Sequence, residues 1–190
     1  MRAFVAVEVP PDVRAAVART QAALRDAARS ADVRWVDPGA LHVTLKFLGS
    51  IDDEQVARIR DALALASGAG APLGCVTGAL GAFPSPRRAR VVWLGISAAN
   101  EAVARLTSAV DAALTPLGFP PEARPFHAHV TLGRVRSPRG LGDLARALEA
   151  HAAGPPRSWV APDLVLFQSH TRPTGAVYEP VARFRLGART

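Results

Sequence analysis

The tetrapeptide His-Val-Thr-Leu occurs twice in this chain, at 42–45 and at 129–132, a spacing of 87 residues (129 minus 42). The periodicity around each copy shows that far more than four residues are repeated. In the first half, residues 2–9 alternate as a strand, and 12–30 read as an alanine-rich helix with Asp12 placed to cap it. Residues 41–49 alternate as a second strand. Residues 52–67 carry acids in their first turn and apolar positions at Val56, Ile59, Leu63 and Ala66, which is helical spacing. Residues 72–83 read as a third strand whose glycines mark bulges or close backbone approach. A proline- and arginine-rich stretch, 84–90, then divides the chain. Beyond it the order returns: strand 90–96, helix 100–118, strand 126–135, helix 140–152, strand 159–169. Adding 87 to the first-half positions 3, 53 and 73 gives 90, 140 and 160, so a whole β-α-β-α-β unit is duplicated. A further strand, 177–186, lies outside the repeat.

Two such halves, about 1–83 and 90–169, predict one bilobal domain of the α+β class spanning 1–190. The halves would pack about a pseudo-twofold axis, with antiparallel sheets lining a central cleft and helices outside. The axis would bring the two His-Val-Thr-Leu strands together. A hydrophobic fraction of 49% against 21% charged residues suits a globular chain. No stretch of 18 apolar residues is present, and the apolar run at the N-terminus is broken by Glu8 and closed by prolines. A cytoplasmic protein without a membrane segment is the expectation. Cys75 is the single cysteine, which excludes an internal disulfide and a cysteine metal cluster. The net charge of +7 suits a polyanionic partner. Lys46 is the single lysine among 23 basic residues, so an arginine-rich codon bias accounts for the charge equally well.

On a strand, His42 and Thr44 project to one face while Val43, Leu45 and Phe47 project to the other, toward the helices. In the second copy His129 and Thr131 share one face, and Ala128, Val130 and Leu132 the other. Each strand thus offers an imidazole and a hydroxyl about 7 Å apart on one sheet surface. Histidine titrates near neutrality, so a pair can hold one neutral base and one protonated acid. Threonine hydroxyls can donate to the nonbridging oxygens of a phosphate between them. In-line attack on phosphorus needs a base and an acid on opposite sides, and two symmetry-related histidines supply both without a metal.

These residues resemble the 2H phosphoesterase superfamily, named for two His-x-Ser/Thr-x motifs, and within it the bacterial RNA 2′,3′-cyclic phosphodiesterases historically called 2′-5′ RNA ligases. Residues 33–49, 91–96, 124–135 and 164–186 all carry the family's pattern. The resemblance implies a bilobal fold with a central cleft, no metal or other cofactor, and opening of a terminal 2′,3′-cyclic phosphate on RNA or a nucleotide to a 2′-phosphate. Some members join tRNA halves through a 2′-5′ linkage in the reverse direction. His42 and Thr44 match the first motif, His129 and Thr131 the second. His129 is assigned as the base and His42 as the acid, although near-symmetric motifs leave the reverse open. A non-catalytic module that holds RNA ends is the alternative, and intact histidines in both motifs argue against it. A monomer is expected, because one chain already contains both motifs.

Further candidates surround the motifs. His127 precedes His129 by two residues and reads as a phosphate contact, a metal ligand in a His-x-His pair or a passive rim residue. Glu122 is the one close carboxylate. Arg134 and Arg34 can pair with phosphate, and Trp35 and Phe126 can stack on a base, with core packing the competing role for both aromatics. Arg87, Arg88 and Arg90 either rim the cleft or sit in a solvated loop. His151 reads as a structural helix end, and His170, near Thr171 and Thr174, as a candidate substrate contact.

Overall fold

The computed structural model describes residues 1–68, 71–96, 100–122, 125–151, 153–172 and 175–187. In order, its elements are β1 (Arg2–Glu8), α1 (Pro11–Ala27), β2 (Val33–Trp35), β3 (His42–Ser50), α2 (Asp53–Gly68), β4 (Leu73–Phe83) and β5 (Val91–Ile96). There follow α3 (Asn100–Leu114), β6 (His129–Val135), α4 (Leu141–Ala150), β7 (Ser158–Ala161), β8 (Asp163–Arg172) and β9 (Gly175–Arg185). Most ends agree with the periodicity, and the differences have local causes. Pro10 precedes α1 without a side-chain cap, and Asp12 lies inside the first turn, where its carboxylate meets the helix dipole. α3 stops at Leu114 and tightens into a 3-10 turn closed by Gly118 at φ +90°, a conformation natural to glycine. The strand expected over 159–169 is cut in two at Pro162, which has no N–H for the ladder.

The strands form one antiparallel sheet in the order β7-β4-β5-β6-β3-β1-β8-β9, with β2 beside β6. Its registers repeat the duplication residue by residue. β1 pairs with β3 through Phe4↔Phe47, Val5↔Lys46, Ala6↔Thr44, Val7↔Val43 and Glu8↔His42. β5 pairs with β6 through Val91↔Arg134, Val92↔Gly133, Trp93↔Thr131, Leu94↔Val130 and Gly95↔His129. Each residue of the second set is its counterpart in the first plus 87. The two copies meet through Val43↔Val130, themselves 87 apart, so the pseudo-twofold axis passes between equivalent valines. β4 pairs with β5, and β8 with β1, so each copy lends its third strand to the other. The spatial lobes are therefore interleaved products of both repeats.

Both ladders contain a bulge at the same place. Between Val5 and Ala6 the partner strand advances from Lys46 to Thr44, leaving Leu45 as the extra residue; between Val92 and Trp93, Leu132 is left over in the same way. A bulge swaps the faces of everything beyond it. Strict alternation placed Phe47 toward the helices, and the structure corrects this. Lys46 turns inward, 3% exposed, and Phe47 turns outward, 62% exposed. In the second copy Gly133 is buried and Arg134 is exposed.

The helix-facing side chains form one core. Val5, Val7, Val43, Leu45, Val130 and Leu132 pack against Val13, Val17 and Leu24 of α1, Ile59 and Leu63 of α2, Val110 and Leu114 of α3, and Leu144 of α4. Each large side chain buried this way contributes about 1.5–3 kcal/mol. Lys46 crosses this layer, pairing with Asp111 of α3 and donating to Pro120 O at 2.7 Å. Loss of one partner would leave a buried charge unpaired, at a cost of about 3–5 kcal/mol. A smaller cluster, Phe4, Ala6, Val165 and Phe167 with Tyr178, lies on the opposite face. Among the described residues no helix is long and apolar enough to cross a membrane.

Candidate active site

The face of the sheet away from the main core holds a cleft of about 820 Å³ where the two copies meet. His42, Thr44, His129, Thr131 and Arg134 line it, with His127 and Phe126 on the segment leading into β6. Each histidine opens its strand and is held by the same contact. His42 Nδ1 donates to Ala40 O at 2.7 Å, and His129 Nδ1 donates to His127 O at 2.7 Å. Ala40 and His127 are again 87 residues apart. A carbonyl can only accept, so Nδ1 carries the hydrogen and Nε2 is the nitrogen left for a ligand.

The surroundings of the two rings differ. The His42 ring centroid lies 4.7 Å from Phe4, 4.9 Å from Tyr178, which meets it edge-on, and 6.2 Å from Phe167. His129 lies 5.2 Å from Phe83, edge-on, and 6.3 Å from Trp93. Burial pushes His42 down to about 4, opposed by the bond to Ala40 O and helped by positive charge at His129 and Arg134. Burial also holds His129 below its ordinary value, opposed by the bond to His127 O, with His127 and Arg134 adding in the same direction. Burial raises the Tyr178 phenol, while Arg134 acts to lower it. The charge of Arg134 is thus felt by both histidines and by the tyrosine facing His42.

The remaining candidates separate. The His127 ring lies 4.8 Å from Trp93 and 6.4 Å from His129. Among the described residues no three His, Cys, Asp or Glu side chains converge to hold a metal. Glu122 lines the cleft. Trp35 is half-buried against the core, close over Gly133: a Cβ there would stand 3.1 Å from the Trp35 ring. Arg34 is exposed on β2, opposite Arg134 in the ladder, and is not among the cleft-lining residues. Arg87, Arg88 and Arg90 are exposed outside the cleft lining. His151 has a structural role, its Nδ1 donating to Ala147 O at 3.0 Å. His170 pairs with Glu179 at 3.2 Å across the β8–β9 hairpin, outside the cleft lining. Thr174 and the Thr171 side chain lie outside the described residues. Cys75 is buried, its thiol pushed up to about 12 by desolvation.

Sequence reasoning missed Phe4, Phe47, Phe83 and Tyr178, all of which line the cleft. For Phe47 a signal was present. Leu45 and Leu48 are three apart around Lys46, which breaks the alternation a regular strand requires.

Comparison with known proteins agrees with this architecture. The family described as LigT like Phosphoesterase matches residues 7–93 and again 94–178, two segments that begin 87 residues apart. The chain belongs to that family. Among relatives of this phosphoesterase family, the RNA 2′,3′-cyclic phosphodiesterase of Methanothermobacter thermautotrophicus is 33% identical over 98% of this chain and 99% of its own length. The protein of the same name from Archaeoglobus fulgidus is 34% identical over 97% and 99%. Of solved LigT-like folds, TT0787 of Thermus thermophilus superposes with a TM-score of 0.80 at 27% identity, covering 100% of both chains. E. coli LigT complexed with 3′-AMP gives 0.70 at 26% identity, covering 98% of both.

Proposed function

We propose that this LigT-like phosphoesterase hydrolyses the 2′,3′-cyclic phosphate ends of RNA or nucleotides to 2′-phosphates, using His42 and His129 as acid and base. The observation that carries the reading is the matched pair of Nδ1-to-carbonyl bonds, which presents two Nε2 atoms to one cleft. Relatives across nearly the whole chain bear the corresponding name.

In the assigned reaction, water forms a bond to phosphorus as the P–O3′ bond breaks. His129 Nε2 takes the water proton, and protonated His42 delivers its proton to the departing 3′ oxygen, giving a 2′-phosphate and a 3′-hydroxyl. Thr44, Thr131 and Arg134 donate to the nonbridging oxygens as charge builds on them. Burial holds both rings below the ordinary imidazole range, and the charge of a phosphate anion beside His42 would favour its imidazolium form, so substrate and proton bind together. His127 and Phe126 line the same cleft, which supports assigning them to the nucleoside. Ligation of tRNA halves would use the same residues in the same roles: a 5′-terminal ribose hydroxyl replaces water, gives its proton to His129 and bonds to phosphorus as P–O3′ breaks and His42 protonates the 3′ oxygen, leaving a 2′-5′ linkage. One chain supplies both motifs, so a monomer suffices, and the cytoplasm is the compartment proposed for it.

The test is incubation of purified protein with an oligoribonucleotide ending in a 2′,3′-cyclic phosphate, in excess EDTA, followed by identification of the terminal phosphate. A 2′-phosphate product is expected. Turnover appearing only after a divalent ion is added, or a 3′-phosphate product, would overturn the assignment.

A further inference from the structure

Gln21 of α1 is a polar side chain within the main core, 7% exposed, to which the reaction assigns no part. Its side-chain nitrogen donates to two main-chain carbonyls, Val36 O at 2.7 Å and Leu132 O at 2.8 Å. Both partners can only accept, so chemistry identifies the contacting atom as nitrogen. Those carbonyls belong to different copies of the repeat. Val36 lines the cleft on the approach to His42. Leu132 is the extra residue of the bulge in β6, two positions before Arg134. Leu132 O also accepts from Val36 N–H at 2.9 Å, so the glutamine closes a small network around the bulge carbonyl.

That carbonyl matters because the bulge decides which face Arg134 joins. Without the extra residue, positions 129, 131 and 133 would share a face, and Arg134 would point into the core. With it, Arg134 joins His129 and Thr131 at the cleft. The Leu132 carbonyl, at the bulge in the ladder with β5, accepts on its other side from Val36 N–H just past the end of β2, and α1 supplies its second donor through Gln21.

We propose that Gln21 is a positioning residue for the phosphate-binding arginine: by holding the Leu132 bulge it fixes the direction in which Arg134 leaves β6. The proposal rests on the reading of Arg134 as a phosphate contact. It differs from a plain packing role because its effect on the site must pass through Arg134.

A double-mutant cycle with Gln21→Met and Arg134→Ala separates the two. Methionine keeps the length of the side chain and removes the donor. The readouts are kcat/KM for a 2′,3′-cyclic phosphate oligoribonucleotide and the Kd of inorganic phosphate by calorimetry, with the fold of each variant checked by circular dichroism. With Arg134 present, Gln21→Met is expected to lower kcat/KM about 10-fold and weaken phosphate binding by a similar factor. In the Arg134→Ala background the same change should alter either quantity by less than about twofold. No loss in the first background, or an equal loss in both, would overturn the proposal. Gln21→Asn, which keeps the amide but is one methylene too short to reach both carbonyls, carries the same cycle if the methionine variant does not fold. Absence of turnover by the unmodified protein would count against the assigned reaction alone, because the phosphate titration still measures the coupling of Gln21 to Arg134.

Discussion

Through their first four residues, strands β3 and β6 are the same object. His42 to Leu45 and His129 to Leu132 share sequence, burial, ladder register, the Nδ1 bond two residues back and the bulge. Immediately after the bulge they part. Lys46 answers to Gly133, and Phe47 to Arg134. The inward position is charged in one copy because Asp111 and Pro120 O receive the ammonium. It is glycine in the other because β2 passes so close that a Cβ would stand 2.7 Å from Val33. The outward position is an apolar ring in one copy and a guanidinium in the other, both in the same cleft. Duplication supplied a symmetric pair of imidazoles, and divergence of one residue pair gave the cleft a cationic side and an apolar side. A substrate with an anionic phosphate and a flat nucleobase can then bind one way round.

The largest effect tests what the copies share. His42→Ala and His129→Ala should each lower kcat by about 10³-fold or more, since each proton transfer contributes about 10² to 10⁴. The double variant should be little worse than either single, because acid and base act as a unit. Steady-state assay of all three, with circular dichroism to confirm the fold, is the measurement. Near-normal turnover in one single variant would mean that only one copy is catalytic.

The next effect tests where they differ. Arg134→Ala should cost about 10²-fold in kcat/KM, because a charge-assisted contact to the phosphate is lost. Phe47→Ala should cost about 10-fold, chiefly in KM, as one stacking surface is removed from the substrate's base. The comparison sharpens if the Phe47 penalty shrinks with an abasic cyclic ribose phosphate while the Arg134 penalty does not. Equal penalties on both substrates would remove the division of the cleft.

How much of this could be read in advance follows from how local each feature is. Hydrophobic alternation and helix spacing act over a few residues, so the duplication and its 87-residue offset were legible, as was the meeting of His42, Thr44, His129 and Thr131 in one cleft. The exchange of β4 and β8 between lobes was not, because strand partners are chosen across the whole fold. The same holds for the aromatic walls. Phe4, Phe83, Phe167 and Tyr178 come from β1, β4 and the β8–β9 hairpin, and only strand pairing across the fold brings Phe4, Phe167 and Tyr178 around His42 and Phe83 beside His129. Arg34 reads as a candidate phosphate contact, and Trp35 as either a stacking surface or a core residue. The pairing of β2 with β6 places Trp35 against the core and Arg34 outside the cleft lining, a choice that depends on a partner strand about 100 residues away.

The smallest effect is a displacement along the pH axis, and it tests the electrostatic inequality between the copies. The proposed reaction needs one imidazole and one imidazolium, a combination most populated between the two pKa values of the free site. Burial holds His42 at about 4 and His129 below 6.5, so kcat/KM should peak on the acid side of neutrality and fall above it. Bound phosphate raises both values, so kcat should peak at a higher pH than kcat/KM. Arg134 lowers both histidines, so Arg134→Ala should move the alkaline limb of kcat/KM upward even as the rate drops. The same shifts bear on stability, and their sign is fixed. Between 6.5 and about 4 the unfolded chain binds the proton that folded His42 refuses, so stability is full above 6.5 and is lost as pH falls toward 4. Profiles of kcat/KM and kcat for a 2′,3′-cyclic nucleotide, with and without Arg134, measure the kinetic part. A kcat/KM optimum above pH 7 in the unmodified protein would show that the cleft does not keep its histidines neutral, and that the proton on His42 is in place before the phosphate arrives.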